Sequence, residues 1–206
     1  MQSSQSILKS ILQLSPFPGW NADTLHPALS NTISRLEFDL LFPNGAESLT
    51  SEYHSYLLNL LSESILTLPK DLRITDKIRW MIRAHFEHII AHGEAEHAIL
   101  SEMYHPSIAM NAPVYVGQLT EIIWRAAGDE STDMNYYTKR VSLGAVYVAT
   151  LLYWHTSNAA IEDVMQSFDN RLDNLKSATA GIKEYTPNPD NIMKNIRLLK
   201  TIFWDK

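Results

Sequence analysis

The sequence contains no cysteine and only seven glycines among its 206 residues. The absence of cysteine excludes disulfides, thiolate zinc sites and cysteine nucleophiles. Strand-type alternation is rare, whereas apolar residues recur at three- and four-residue spacing along most of the chain, a pattern that predicts an all-α protein. Basic residues are scarce as well: 17 Lys and Arg stand against 23 Asp and Glu, for a net charge of -6. This balance disfavours a protein that binds duplex DNA.

Long hydrophobic runs are also missing. The most apolar stretch, Val141 to Trp154, has 14 residues, whereas a membrane-spanning helix needs about 20. The segment that follows Met1 has neither a signal-peptide core nor the arginines of a transit peptide. We therefore expect a soluble or peripheral protein, in a bacterial cytoplasm and peripheral on the inner membrane, or on the matrix side of a mitochondrion if the chain is a processed eukaryotic form.

Proline, glycine and helix-capping residues divide the chain into four parts. The predicted parts are a helix-turn-helix-like head (1–45), a helical bundle (46–177), a linker (178–190) and a separate amphipathic helix (191–206). Within them, Asn21 and Thr75 are predicted N-caps, and Gly128 is predicted to end a helix that covers residues 112–127.

The head has the layout of a TetR-type regulator, with two short helices joined by a tight turn behind a first helix. Its charge argues against DNA. Up to Pro69 the only basic residues are Lys9 and Arg35, against six acidic ones. The predicted recognition segment, residues 36–40, would bring carboxylates towards phosphates. We expect no nucleic-acid partner, and a ligand-responsive TetR-type repressor remains the alternative function.

Four histidines, His85, His88, His92 and His97, crowd one region, and His88 and His92 have a spacing that can bind zinc. Two Glu-x-x-His strings follow, but they lie on one predicted helix and cannot clamp a metal pair from opposite sides. We expect the histidines on a solvated helix face, with no metal and no cofactor. No catalytic motif is present either. A di-iron-type enzyme is therefore the third and least supported hypothesis for the function.

The helix that begins near Asp133 carries two stripes at helical spacing. One holds Asp133, Tyr137, Arg140, Gly144, Tyr147 and Leu151, and the other holds Met134, Val141, Ala145, Val148 and Leu152. We predict that the second stripe is core. The first begins with polar and tyrosine side chains suited to a docking surface or a cavity mouth, although a capped helix with a tyrosine flank explains it equally well.

This block resembles the coenzyme Q biosynthesis protein nine family. The resemblance rests on Gly19-Trp20, Leu41-Phe42-Pro43, Lys77 to Arg83, Trp124 to Asp129, Ser131 to Arg140 and Leu151 to Trp154, and covers about residues 19–176. It implies a TetR-like fold, a homodimer, an isoprenoid lipid in a hydrophobic pocket, and no catalytic activity. It also implies that the protein presents quinone precursors to the di-iron demethoxyubiquinone hydroxylase.

Position by position, the resemblance implies that the hydroxylase docks, and lipid enters, at a patch of five residues: Asp133, Asn135, Tyr136, Tyr137 and Arg140. Tyr136 departs from family members that have tryptophan there. The candidate walls of the lipid pocket are Trp124, Tyr147, Leu151 and Tyr153. Core packing explains these four equally well.

The last predicted helix gathers Ile192, Ile196, Leu199, Ile202 and Phe203 on one side, with Lys194 and Arg197 opposite and Lys200 on the flank. A basic amphipathic helix with a terminal tryptophan suits a membrane surface. The predicted membrane-binding residues are Ile196, Leu199, Lys200, Ile202 and Phe203. Packing on the protein's own bundle is the alternative.

Overall fold

The computed structural model describes residues 3–102, 106–132 and 134–180, without the side chains of 107, 108 and 176–180. In these ranges all regular secondary structure is helical: α1 (Ser4–Ile11), α2 (Ala22–Ala28), α3 (Arg35–Leu41), α4 (Ala46–Ile65), α5 (Ile74–Ala91), α6 (Gly93–Ser101), α7 (Pro106–Ala109), α8 (Ala112–Ala127), α9 (Met134–Ser157) and α10 (Ile161–Ala180). The predicted all-α class is confirmed, and a short three-helix head before longer helices is consistent with the TetR-like arrangement. None of the described helices is long and apolar enough to cross a membrane.

The chain divides into two compact units, residues 1–144 and 145–206. The domain limits drawn from the sequence stay predictions. The predicted linker beyond Ala180 and the amphipathic helix, with Ile196, Leu199, Lys200, Ile202 and Phe203, lie outside the described residues.

Polar caps fix the short helices of the head. The Asn21 side chain accepts from Thr24 N at 2.9 Å and caps α2, as predicted. Ser34 and Glu37 form a capping box at the start of α3. Arg35 is paired with Asp23 and Asp39, both at 3.1 Å. The solvent face of α3 therefore offers the exposed leucines Leu36 and Leu40 between carboxylates, a poor surface for phosphate.

The interior of the first unit is formed where α4 packs on α1, α5 and α8 and where α5 packs on α8. The fully buried side chains include Leu49, Leu57 and Leu61 of α4, Met81, Ile82, Phe86 and Ile89 of α5, and Leu119 and Ile123 of α8. Their spacing of three, four and seven residues is what brings each set to one face of its helix. In the second unit, Val146, Tyr147, Trp154, Val164 and Phe168 are buried.

The prediction for the two stripes of α9 was wrong in its core assignment. Met134, Val141, Val148 and Leu152, predicted as core, are 60, 64, 37 and 50% exposed, whereas Tyr147 and Leu151 of the other stripe are buried. Gly144 gives the reason. A Cβ at Gly144 would lie 2.9 Å from Val116 Cγ1, so the small residue is where α9 approaches α8, and the stripe that contains it faces inward.

The expectation of solvated histidines was wrong for His85, which is completely buried. Its Nε2 lies 2.7 Å from the hydroxyl of Tyr115 on α8. The Tyr115 ring in turn stacks on His54 of α4, with centroids 3.9 Å apart. Hydrogen bonding through Tyr115 makes a buried histidine tolerable, because a satisfied polar group avoids most of the cost of desolvation. The predicted N-cap at Thr75 also differs, since α5 begins after Arg73.

Candidate functional site

The predicted patch overlaps a cluster of charged and polar side chains between α8 and the start of α9, which we call the charged junction. Its members are Glu121, Arg125, Asp129, Tyr136, Lys139 and Arg140. Two local features build it. Glu121 and Arg125 are four residues apart on α8 and pair directly. Gly128 then adopts the left-handed conformation, with φ of 93°, and ends α8 as predicted.

Arg140 is the centre of the charged junction. Its side chain is 10% exposed and pairs with Glu121 and with Asp129, the latter at 3.2 Å. The guanidinium also lies over the ring of Tyr136, 3.5 Å from its centroid. The Tyr136 hydroxyl donates to Glu121 Oε2 at 2.8 Å. Arg140 thus holds in place Glu121 of α8, Asp129 of the following loop and the ring of Tyr136.

Lys139 forms the other side of the charged junction. Its Nζ lies 2.5 Å from Asp129 Oδ1 and 2.7 Å from Ser131 Oγ. The same ammonium lies 5.4 Å from the ring centroid of Trp124. The indole Nε1 of Trp124 donates to the backbone carbonyl of Lys139 at 3.1 Å. Trp124 is therefore tied to α9 through its polar edge.

The ion pairs set the charge state of the carboxylates. Hydrogen bonding from Lys139 lowers the pKa of Asp129 to about 2. Partial burial acts to raise the pKa of Glu121, but the hydrogen bonds from Arg125, Arg140 and Tyr136 outweigh it and lower that pKa to about 2. Both groups are ionised at neutral pH. These two carboxylates of the charged junction therefore keep their negative charges beside the basic side chains that they pair with.

An apolar surface lies next to the charged junction on the solvent side of α9. It consists of Met134, Tyr137 and Val141, which are 60, 64 and 64% exposed, and we call it the outer face. The Tyr137 ring meets Tyr136 edge to face, with centroids 5.0 Å apart. Arg140 and Glu121 hold Tyr136 in place, and Tyr137 of the outer face packs against that fixed ring.

The five predicted patch residues have different environments. Tyr137 and Asn135 are exposed, Tyr136 is half-buried, and Arg140 is mostly covered by its ion pairs. Asp133 lies outside the described residues. The structure therefore brings Tyr136, Tyr137 and Arg140 together, with Tyr137 as the most accessible of the three. Their role in docking stays a prediction.

The four predicted walls of a lipid pocket differ in burial. Tyr147 and Leu151 are buried, whereas Trp124 and Tyr153 are half-buried. Two surface hollows, of about 440 and 320 Å³, lie along α4, and none of the four predicted wall residues lines either of them. The first is bordered by Lys9, Tyr56 and Leu66, and the second by Pro43, Glu47 and Glu52. The lipid-pocket assignment also stays a prediction.

Sequence reasoning missed Glu121, Asp129 and Lys139 as parts of the site. The spacing of Glu121 and Arg125 signals a helix-surface pair, but it does not show that Arg140, 19 residues further on, shares the same carboxylate. No group of three or more histidine, aspartate or glutamate side chains in the described part of the chain is arranged to hold a metal ion. The histidines near α5 are instead divided between a buried contact with Tyr115 and a contact of His88 with Ser64 at 3.0 Å.

What the geometry defines is an exposed apolar surface beside a cluster of ion pairs, both on helices of the described part of the chain. The sequence model of the COQ9 family matches residues 109–179, the region that contains the charged junction and the outer face. The chain is 25% identical over 211 aligned positions to the ubiquinone biosynthesis protein COQ9, mitochondrial, of Xenopus tropicalis, covering 95% of this chain and 64% of the relative. It is 28% identical to the human protein of the same name, over 83% of this chain and 57% of the relative.

These matches confirm the resemblance seen in the sequence. The chain spans less than two thirds of the length of these relatives.

Proposed function

We propose that this protein is a non-catalytic accessory protein of ubiquinone biosynthesis. It binds an isoprenylated quinone precursor at a membrane surface and presents it to the di-iron demethoxyubiquinone hydroxylase, which carries out the oxidation. The relatives that match most of the chain are named as ubiquinone biosynthesis proteins. The chain's own residues bind and orient, and bond making belongs to the partner.

The observation that carries the docking proposal is the exposed outer face. Three large apolar side chains, Met134, Tyr137 and Val141, project into solvent from one side of one helix. Tyrosine and methionine are enriched where proteins bind one another, because they bury large areas on contact. The charged junction beneath holds Tyr136 in one position, so little conformational entropy is lost when a partner covers the neighbouring Tyr137.

The lipid part of the proposal needs a route from this surface towards the interior. Trp124 and Tyr136 lie on the two sides of the charged junction, and their rings are aligned by Lys139 and Arg140. An isoprenoid tail is purely apolar, so its burial is favourable by about 25 cal/mol per Å² of surface covered. We propose that the tail enters beside the paired tyrosines. Dimerisation, likewise a proposal, adds a second copy of the same surface.

The docking proposal is tested by the affinity of the full chain for the purified hydroxylase. Tyr137→Lys puts a charge in the middle of the outer face and should weaken binding at least tenfold, because hot-spot tyrosines at the centre of an interface contribute about 2 kcal/mol or more. Thr156→Lys is the matched control, since Thr156 is exposed on the same helix but lies about five turns beyond the outer face. Equal affinity of the two variants would contradict the assignment.

The lipid proposal is tested by native mass spectrometry of lipids that purify with the full chain. We expect an isoprenoid species bound to the wild-type protein, and less of it after Tyr147→Asp. Circular dichroism of the variant checks that the helices persist. Purified wild-type protein that carries no isoprenoid, even after incubation with vesicles containing ubiquinone, would rule out lipid delivery.

A further inference from the structure

Two carboxylates on the first turn of α6 have opposite environments. Glu94 is exposed, and its Oε2 accepts a hydrogen bond from the backbone nitrogen of Phe17 at 2.9 Å. Glu96, two residues later, is 3% exposed. The start of α6 is therefore tied on one side to the chain segment before α2 and inserts a carboxyl group into the interior on the other side.

Glu96 is poorly supplied with hydrogen bonds for a buried carboxyl. Within the part of the chain that the structure describes, its Oε2 has no hydrogen-bond partner. Its helix neighbours Ala95 and Ile99 are buried and apolar. The hydroxyl of Tyr53 on α4 is the polar group that interacts with it. An ionised carboxylate in such surroundings is costly, because burial removes its water and none of the described residues places a cation against it.

The residue that faces Glu96 also connects to the segment held by Glu94. The ring of Tyr53 meets Trp20 edge to face, with centroids 5.6 Å apart. The indole of Trp20 donates to Thr50 Oγ1 of α4 at 2.9 Å and lies against Phe17, centroids 6.0 Å apart. Phe17 and Trp20 are thus held between α4 and α6, and the position of α6 decides whether the Glu94 contact is made.

Burial raises the pKa of Glu96 to about 7, against the smaller opposing effect of the Tyr53 hydroxyl. The other titratable or charged side chains of these three helices are Glu47, Glu52, Tyr53, His54, Tyr56 and Glu63 on α4, Asp76, Lys77, Arg79, Arg83, His85, Glu87 and His88 on α5, His92 between α5 and α6, and Glu94 and His97 on α6. Burial lowers the pKa of His54, His85 and His92, so none of these three is a ready counter-ion near neutral pH.

We propose that α6 is a proton-dependent latch. With Glu96 protonated, α6 lies closed beside α4 and Glu94 holds Phe17. When Glu96 loses its proton, the first turns of α6 move outward so that the carboxylate reaches water, and the segment from Phe17 to Trp20 is released. The latch is independent of the proposed docking surface, which lies on α8 and α9.

The test is amide hydrogen exchange of the full chain at pH 6 and pH 8, expressed as protection factors so that intrinsic exchange rates cancel. In the closed state the Glu96 carboxyl has a pKa of about 7, and in the open state we take the ordinary value near 4.5. The open state should therefore become about tenfold more populated when the pH rises from 6 to 8. Protection of residues 95–100 should therefore fall about tenfold in the wild type. It should stay constant in Glu96→Gln, which keeps the shape and cannot ionise.

Glu63→Gln, at an exposed position of α4, is the matched control and should behave as the wild type does. Infrared titration of the unmodified protein gives a second readout, because a protonated buried carboxyl has its own carbonyl band, which should disappear as pH rises through about 7. Equal pH dependence of α6 protection in the wild type and in Glu96→Gln would overturn the proposal. So would the absence of a titrating carboxyl band near neutral pH.

Discussion

Arg140 has a side chain suited to binding a partner, but most of that side chain is covered in the structure. The sequence predicts it as part of a docking patch, and it does lie next to Tyr136 and Tyr137. Its guanidinium, however, is satisfied by Glu121 and Asp129 and covered to nine tenths. Spacing along one helix identifies which residues are neighbours on α9. It does not identify the partners that α8 supplies, because those depend on how the two helices pack.

The charged junction should be important for stability as well as for position. Arg140→Ala leaves the Asp129 carboxylate, which is 4% exposed, with one of its cations missing. We expect a loss of about 2 kcal/mol in the free energy of unfolding, measured by urea denaturation, since Asp129 and Glu121 each lose a charged hydrogen-bond donor, although Lys139 stays at Asp129 and Arg125 at Glu121. Arg125→Ala, at a side chain 74% exposed, should cost much less, because water screens an exposed ion pair. Similar losses in the two variants would contradict this account.

Because His54 and His85 are buried, we predict that the stability of the protein depends on pH. Burial lowers the pKa of His85 to about 3, with smaller contributions from His88 and His54, and lowers that of His54 to about 4. Because the unfolded histidines titrate near 6.5, the unfolded state binds more protons below that pH, and stability falls as the pH drops. Each histidine contributes a slope of up to about 1.4 kcal/mol per pH unit.

His85→Gln should reduce the slope of unfolding free energy against pH, between pH 4 and pH 6, by about that amount. Urea denaturation at a series of pH values measures it. An unchanged slope in the variant would mean that His85 is not kept neutral in the folded protein.

Among the helices, α8 was predicted at its observed limits and α9 in the wrong orientation. Pro113 near the start of α8 and Gly128 after its end are local signals that need no tertiary information. The α9 sequence is apolar over most of its circumference, so its periodicity alone does not select the inward face. The selection comes from Gly144, where α9 approaches Val116, and from Arg140 with its carboxylates.

The approach at Gly144 makes a specific prediction. Gly144→Ala places a Cβ 2.9 Å from Val116 Cγ1, a contact so close that the Val116 side chain or the helices must shift. We expect a net destabilisation of about 1 kcal/mol by thermal or urea unfolding, because overpacking outweighs the gain in helix propensity. Gly117→Ala on α8, where nothing lies within 4 Å of the added Cβ, should instead stabilise by up to about 1 kcal/mol.

The double variant Gly144→Ala, Val116→Ala should regain most of the stability lost in Gly144→Ala, since the atom that clashes is removed. If the double variant is no more stable than the sum of the two single effects predicts, the contact is not the cause.

Taken as a whole, the chain combines a head with few basic residues and a second half that carries the candidate site. The TetR-type repressor reading requires α3 to meet phosphates, yet Arg35 is already paired with Asp23 and Asp39. The overall class could be predicted because helical periodicity and scarce glycine are properties of the entire sequence. The charged junction could not, because it joins residues from two helices and the loop between them.

Membrane association is predicted to depend on residues 191–206, which the structure does not describe. Leu199→Gln should weaken sedimentation of the full chain with anionic vesicles several-fold, because it removes a central apolar side chain from the predicted lipid face. Thr201→Gln, on the polar side of the sequence pattern, should bind as the wild type does. Equal loss in both variants, or loss in neither, would contradict a membrane role for this segment.

The most direct measurement is a hydrogen-exchange map of the full chain with and without the purified hydroxylase. The account predicts that the complex slows exchange over residues 134–143 and leaves the head unchanged, although α3 also exposes two leucines. Protection confined to α3, or a complex with no protection at the start of α9, would contradict the assignment of Met134, Tyr137 and Val141 as the surface that meets the hydroxylase.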